Sequence, residues 1–351
     1  VTGFKFYTQQ HYMAHTQQEG MIMTEHPFAP YIRIIGKGKN GARPLTEDEA
    51  YHAMQMIMAE AVSPEQLGAF MMLMRMKEET APELAGFVRA IKEAMILPQQ
   101  SQAVDLDWSS YAGKRRYLPW FLLSALLLAE NGVRVFMHGN SGHTAGRLYT
   151  DEVLHLFGFS PAPSFSDALH QIAQHNFSYM SLAQLSPKLA HIMAWRHQMG
   201  LRLPVHTVVR LLNPFNADYL IQGIFHPGYR PVHQQAAALL GQAHMAVLKG
   251  DGGEIERNPD MPCLVQSLHH GELSNEEWPE IFGKRHVKEG LEQPERLLAL
   301  WRGELLDEFP TQTVMGTTAV VLKLLGKAQS QDEAHSLAQE WWSQRDKNRF
   351  V

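Results

Sequence analysis

Cysteine is nearly missing from this chain. Cys263 stands alone among 351 residues, so no internal disulfide can form. That usage suits a reducing compartment, and a cytoplasmic protein is the expectation. Cys263 sits in the strand-like run CLVQSL, which predicts a buried, inert thiol. Long apolar runs are missing too. Phe121 to Ala129 falls well short of the roughly 20 residues a membrane helix needs, so no membrane partner is expected. The 19 histidines fall into no HExxH or comparable ligand spacing, which argues against a dedicated metal site. The opening residues carry no basic segment followed by an apolar one, so they do not read as a secretion signal. Residues 1–26 are polar and without period, and a loosely ordered extension is expected there. No internal repeat or low-complexity tract is visible.

What is present is globular. The 45% apolar and 19% charged content is ordinary for a folded chain, and the length suits two lobes at roughly 100–200 residues each. A net charge of −5 argues against a cation-coated protein. It leaves room for a groove that gathers one sign of charge.

Three helix starts follow one another: Thr46 with Glu49, Ser63-Pro64 with Gln66, and Thr80 with Glu83. Behind each comes an apolar stripe at helical spacing, such as Ala50, Met54 and Ile57, or Leu84, Phe87, Val88 and Ile91. The methionines of this stretch read as core filling. Residues 27–97 are therefore expected to form a small helical domain. After the connector 97–104 the pattern changes to strands alternating with helices. Runs from Val104, from Val133 to Gly139, Phe177 to Leu182, Leu220 to Pro227, Met245 to Gly250 and Cys263 to Leu268 read as strands. The fold class is thus α/β, with a mixed, mostly parallel sheet over 103–184 and 205–351. The stretch Leu185 to Gly200 reads as a helix that could return to the first lobe.

The turn after the first strand, Trp108-Ser109-Ser110-Tyr111-Ala112-Gly113-Lys114-Arg115-Arg116, raises the functional question. Strand-to-helix turns that cradle phosphate use glycines, whose backbone amides can approach the anion. This one has a single glycine, bulky rings and three consecutive cations.

SPEQLGAFMMLMRMKEETAPELAGFVRAIKEAM, VFMHGN, HIMAWRHQMGLR, HTVVRLLNPF and VLKGDGGEIE occur in the order and spacing of anthranilate phosphoribosyltransferases. From Pro27 to about Ala328 the chain resembles that group, within glycosyltransferase family 3. The resemblance implies a helical domain completed by about 185–204, an α/β domain of the type shared with type II nucleoside phosphorylases, and a homodimer through the helical domain. It also implies where the chain departs. The family holds 5-phosphoribosyl pyrophosphate with a GTGGD loop and an N-x-S-T run. The corresponding segments here are the bulky turn and Leu118-Pro119-Trp120-Phe121. The family KHGN becomes Met137-His138-Gly139-Asn140, and the adjacent acidic pair that helps bind magnesium becomes Gly252-Gly253-Glu254-Ile255-Glu256. Arg210 replaces an asparagine and Asn213 a glycine in the second loop. Each lost charge-assisted contact removes roughly 1.5–3 kcal/mol.

Two chemical functions, and a third reading without chemistry, remain open on these residues. One is nucleic-acid binding through a basic cleft, with Lys37, Lys39, Arg43, Lys114, Arg115, Arg116, Arg147, Arg196, Arg202 and Arg210 on the phosphates. Trp108, Tyr111, Tyr117 and Trp120 would offer stacking rings. The chain is similar to a branch near the family in which cations replace the phosphoribosyl motif and which is associated with nucleic acid. No cofactor is expected on this reading. The other is an active pentosyl or phosphoribosyl transferase, with His138, Asn140 and Arg196 at the acceptor and Glu254 or Glu256 holding Mg2+. A three-cation run also suits a plain solvated face, and the tryptophans also suit a core. A plain interaction protein with a vestigial cleft is the third possibility.

Overall fold

The computed structural model describes residues 24–95, 103–142, 144–287, 290–291 and 293–350. The extension expected at 1–26 therefore lies almost wholly outside the described residues, as does most of the 97–104 connector.

Four helices open the described chain: α1 (Ala29–Gly36), α2 (Glu47–Met58), α3 (Pro64–Lys77) and α4 (Ala81–Ala94). Thr46 and Ser63 close reciprocal capping boxes with Glu49 and Gln66, as their spacing implies. Glu83 does more than cap. It is fully buried and accepts from the amides of Leu45 (2.8 Å) and Thr80 (2.9 Å), the Thr80 hydroxyl and Lys77 Nζ (2.6 Å). One carboxylate thus ties the start of α4 to the end of α3 and to the chain entering α2.

Seven strands form one sheet: β1 (Leu106–Ser110), β2 (Val135–Gly139), β3 (Phe177–Ser181), β4 (Tyr219–Ile224), β5 (His244–Lys249), β6 (Cys263–His269) and β7 (Glu272–Trp278). Their order is β3-β2-β1-β4-β5-β6-β7. The first five in that order run parallel; β6 pairs antiparallel with β5, and β7 pairs antiparallel with β6. The chain leaves β1 towards β2 on one side and later places β4 on the other. The carboxyl ends of β1 and β4 thus flank a topological switch point, where open α/β sheets place their ligands.

Both faces of the sheet are apolar, with alternate residues entering different cores. Met245 and Val247 join a cluster that continues into α2, α3 and α4. Ala246 and Leu248 face the other cluster with α5 (Phe121–Glu130) and the helix Glu308–Leu324. The helical lobe and one sheet face therefore share a continuous core.

The expected helix at Leu185 to Gly200 is broken into Leu182–Leu185, Pro187–Ala194 and Arg196–Met199. Ser186 is extended and Pro187 starts a new helix, as its fixed φ favours. The segment does return to the first lobe: Lys188 Nζ reaches Met58 O (3.0 Å) and Glu60 (3.1 Å). β7 and the helix Gln331–Gln344 were not anticipated.

Removing the Glu83 carboxylate as Glu83→Ala is expected to lower the unfolding free energy by about 3 kcal/mol, since it strands two amides and takes the carboxylate from the half-buried Lys77. Glu49→Ala, at the half-buried capping residue of α2, should cost about 1 kcal/mol. Urea denaturation of both variants checks the ranking, and equal losses would contradict it.

Candidate functional site

The turn after β1 still forms an anion cradle, and the chain fills it with its own carboxylates. The amides of Ala112 and Gly113 both point at Glu254 Oε1, each at 2.6 Å. Gly113 adopts φ +65°, a left-handed conformation that lets consecutive amides converge. Glu254 reaches them because the segment after β5 folds tightly on itself. A Cβ at Gly250 would lie 1.4 Å from Glu254 O, so only glycine fits there. Two residues on, Glu256 accepts from Lys114 Nζ and, through Oε2 at 2.9 Å, from the amide of Phe121. That amide opens α5 and has no partner inside its helix. Both glutamates are almost wholly buried, at 1% and 2% exposure. Burial pushes the Glu254 carboxyl above its usual range, while Arg210 and the two amides pull it back.

This geometry corrects several expectations. Lys114 does not face a groove: it is fully buried against Glu256, because a carboxylate at the mouth of α5 needs a cation. Trp108, Tyr111, Tyr117 and Trp120 are core residues, at most 5% exposed, and offer no free ring to a ligand. Arg210 is buried. Its Nη1 donates to Gly223 O (2.9 Å) and its guanidinium lies 5.9 Å from the Tyr111 ring centre. Arg147 Nη1 reaches the carbonyls of Ala112 (2.8 Å), Gly113 (2.9 Å) and Gly252 (3.2 Å), and so staples the two turns together. Arg43 is exposed but holds Glu49 through two nitrogens, at 2.6 and 2.7 Å.

His138 is enclosed as well. Its Nε2 donates to Asp107 Oδ1 (3.1 Å), and its Nδ1 accepts from Tyr111 OH (2.7 Å). All three residues are buried, so no acceptor molecule meets the imidazole. Asn140 is half-buried with Nδ2 against Met193 Sδ at 3.2 Å. Arg196 donates to Thr144 Oγ1.

Cations do gather beyond this plug. Arg202 is half-buried, and its pKa is pushed down to about 10, first by burial and then by Arg196, Arg210 and Arg147. Among the described residues no hydrogen bond or ion pair engages it. Arg202 shares a cavity of about 100 Å3 with Arg75, Arg210 and Phe225. Phe225 and His226 also wall a larger cleft of about 820 Å3, lined by Arg116, Arg230, Lys249 and Arg285. Two carboxylates, Asp260 and Glu277, line it too, and Asp260 is paired with His286 at 2.7 Å. This cleft lies beside the carboxyl ends of β4 and β5. Lys37, Lys39 and Arg115 are exposed but line neither cavity. Arg75, Arg230, Lys249 and Arg285 were missed, because they are isolated cations that only the fold brings together. Cys263 is buried, as expected, with its thiol pushed up to about 11 by burial.

A helical lobe joined to this seven-stranded sheet, with loops converging at the β1/β4 switch point, pairs the helical bundle and the a/b domain of a glycosyl transferase family. The chain belongs to glycosyltransferase family 3: residues 29–95 match the glycosyl transferase family helical bundle domain, and 121–344 match its a/b domain. It is 30% identical to an uncharacterised protein of Aquifex aeolicus over 89% of this chain and 97% of that one. It is 29% identical to the uncharacterised protein YbiB of Escherichia coli, over 65% and 72%. With the anthranilate phosphoribosyltransferase of Caldivirga maquilingensis it shares 28% identity over 85% and 88%. The anthranilate phosphoribosyltransferase of Thermus thermophilus superposes with a TM-score of 0.74 at 23% identity, covering 89% and 94% of the two chains. The Saccharomyces cerevisiae enzyme in complex with PRPP and Mg gives 0.73 at 16%, covering 94% and 98%.

Two stability measurements test the site. Lys114→Ala leaves Glu256 buried without its cation and is expected to cost about 3–5 kcal/mol, whereas Arg115→Ala should stay within about 0.5 kcal/mol. Near-equal small losses in urea melts would contradict the buried pair. The second concerns His233, which is buried beside Gln222 Oε1 (2.7 Å) and held down to a pKa of about 3 by burial and then by Arg210. A depressed imidazole contributes stability that is fully present above its unfolded pKa of about 6.5 and lost as pH falls towards about 3. His233→Gln should therefore flatten the pH dependence of stability in that window. An unchanged acid limb would count against the assignment.

Proposed function

We propose that the chain binds nucleic acid through its phosphates, along the cation-lined clefts beside the switch point, and has set aside phosphoribosyl transfer. The observation that carries this reading is the division of labour at the site. Glu254 and Glu256 occupy the amides and the lysine of the turn that the family resemblance aligns with the phosphate-binding loop. The outer walls keep Arg75, Arg116, Arg202, Lys249 and Arg285 facing a cavity. In a chain of net charge −5, such a concentration is a local field aimed at a polyanion. Backbone neutralisation with counterion release needs no base-specific donor set.

The transferase alternative asks Glu254 or Glu256 to hold Mg2+ and His138 to meet an acceptor. These residues do not fit that group. A hydrated Mg2+ takes near-octahedral oxygen ligands and keeps several waters, while both carboxylates are buried and already hold amides or lysine. The reading also includes self-association through the helical lobe. It is supported by the apolar outer side of α3, where Met72 and Leu73 are half-buried and Met76 is 76% exposed.

Fluorescence anisotropy with a labelled single-stranded oligonucleotide at two or more salt concentrations tests the proposal. Binding should weaken steeply with salt. The triple variant Arg116→Ala, Lys249→Ala, Arg285→Ala should reduce the slope of log affinity against log salt by about 2. Arg43→Ala, whose guanidinium is spent on Glu49, serves as the comparison and should change little. No binding at low salt removes the proposal.

A further inference from the structure

Phe225 is an exposed aromatic ring that the fold has no packing need to expose. It follows the last residue of β4, is 49% exposed, and belongs to the walls of both cavities. Its ring meets His226 edge-on, with centroids 4.9 Å apart and planes at 88°. Gly253 lies beside it: a Cβ there would come within 3.2 Å of Phe225 Cβ. The root of the side chain thus lies beside the plugged turn, and the ring itself meets only His226 edge-on among the aromatic contacts of the described residues. Cations flank it. Arg75 and Arg202 line the smaller cavity, and Arg116, Lys249 and Arg285 line the larger.

We propose that the nucleic acid enters single-stranded and that an unpaired base stacks on Phe225, with phosphates on either side held by the two sets of cations. This rests on the nucleic-acid reading above and narrows it. A paired duplex keeps its bases stacked within the helix and presents only their edges in grooves roughly 6 and 12 Å wide, so it offers no free face to this ring. A single strand offers one at every nucleotide, and every base has a π-face, so the contact needs no particular sequence. Of the four aromatics near the plugged turn, Trp108, Tyr111 and Trp120 are buried, and Tyr117 borders the larger cavity but is 5% exposed with its ring stacked on Phe309, which leaves this role to Phe225. The ring and the phosphate-binding cations then do different work. The ring chooses the unpaired form, and the cations set the affinity and its response to salt.

Three probes of equal length separate the possibilities: a single strand carrying 2-aminopurine, the same strand with abasic positions, and its duplex. The expected result for Phe225→Ala is an affinity loss on the order of 5- to 100-fold for the single strand. The salt slope and the affinity for duplex and abasic strand should stay unchanged. Phe225→Trp should restore binding, and 2-aminopurine fluorescence should be quenched with the native chain but not with the alanine variant. Unchanged single-strand affinity in Phe225→Ala, with binding still lost in the triple cation variant, overturns the stacking role and leaves the broader reading standing. If none of the three probes binds the native chain at low salt, both fall together.

Discussion

Everything at this site depends on two buried carboxylates. Glu254 takes the paired amides of the turn after β1, and Glu256 takes Lys114 and the first amide of α5. These donors are of the kind that hold phosphate in other strand-turn-helix units. Here they face an internal anion. The arrangement accounts for the lysine in the turn, whose ammonium is the cation that the buried Glu256 needs. It also explains why Lys114 lies inside while its neighbours Arg115 and Arg116 lie outside. A buried charge requires a partner, whereas exposed ones do not.

Filling the cradle moves the accessible charge outward. Arg147 and Arg210 become fixtures of the turns, bonded to carbonyls. Arg202 keeps company with other guanidiniums, and its depressed pKa records its burial and their mutual repulsion. Glu254 offsets part of this repulsion through Arg210, and under the proposed function a bound polyanion would offset more. The sheet supplies the stage. The β1/β4 switch point opens a crevice at the strand ends, and the core shared by sheet and helical lobe holds its walls in place.

Much of the fold was legible in the chain itself. Caps at Thr46 and Ser63 marked helices because their side-chain bonding is local. Strands β2 to β6 were visible as short apolar runs between turns. β7 was not, since ELSNEEW is an exposed, polar edge strand with no apolar alternation. Its one local mark is the two-residue turn His270-Gly271, both at positive φ, a form suited to a tight hairpin. The helix at Leu185 to Gly200 was over-read, because Pro187 could as well begin a helix as interrupt one. The site was legible only in part. The loss of the phosphate-binding glycines could be seen, yet a run such as Lys114-Arg115-Arg116 does not reveal which cation turns inward. That depends on Glu256, far along the chain. The cleft's other cations, Arg75, Arg230, Lys249 and Arg285, carry no local pattern and become a group only through tertiary structure.

The central claim is that the chain's own glutamates occupy the phosphate position. Calorimetric titration of 5-phosphoribosyl pyrophosphate with Mg2+ into the native protein tests it most directly. The account predicts no saturable heat, because the amides of Ala112 and Gly113 and the ammonium of Lys114 are already taken. Saturable binding with micromolar affinity would contradict it.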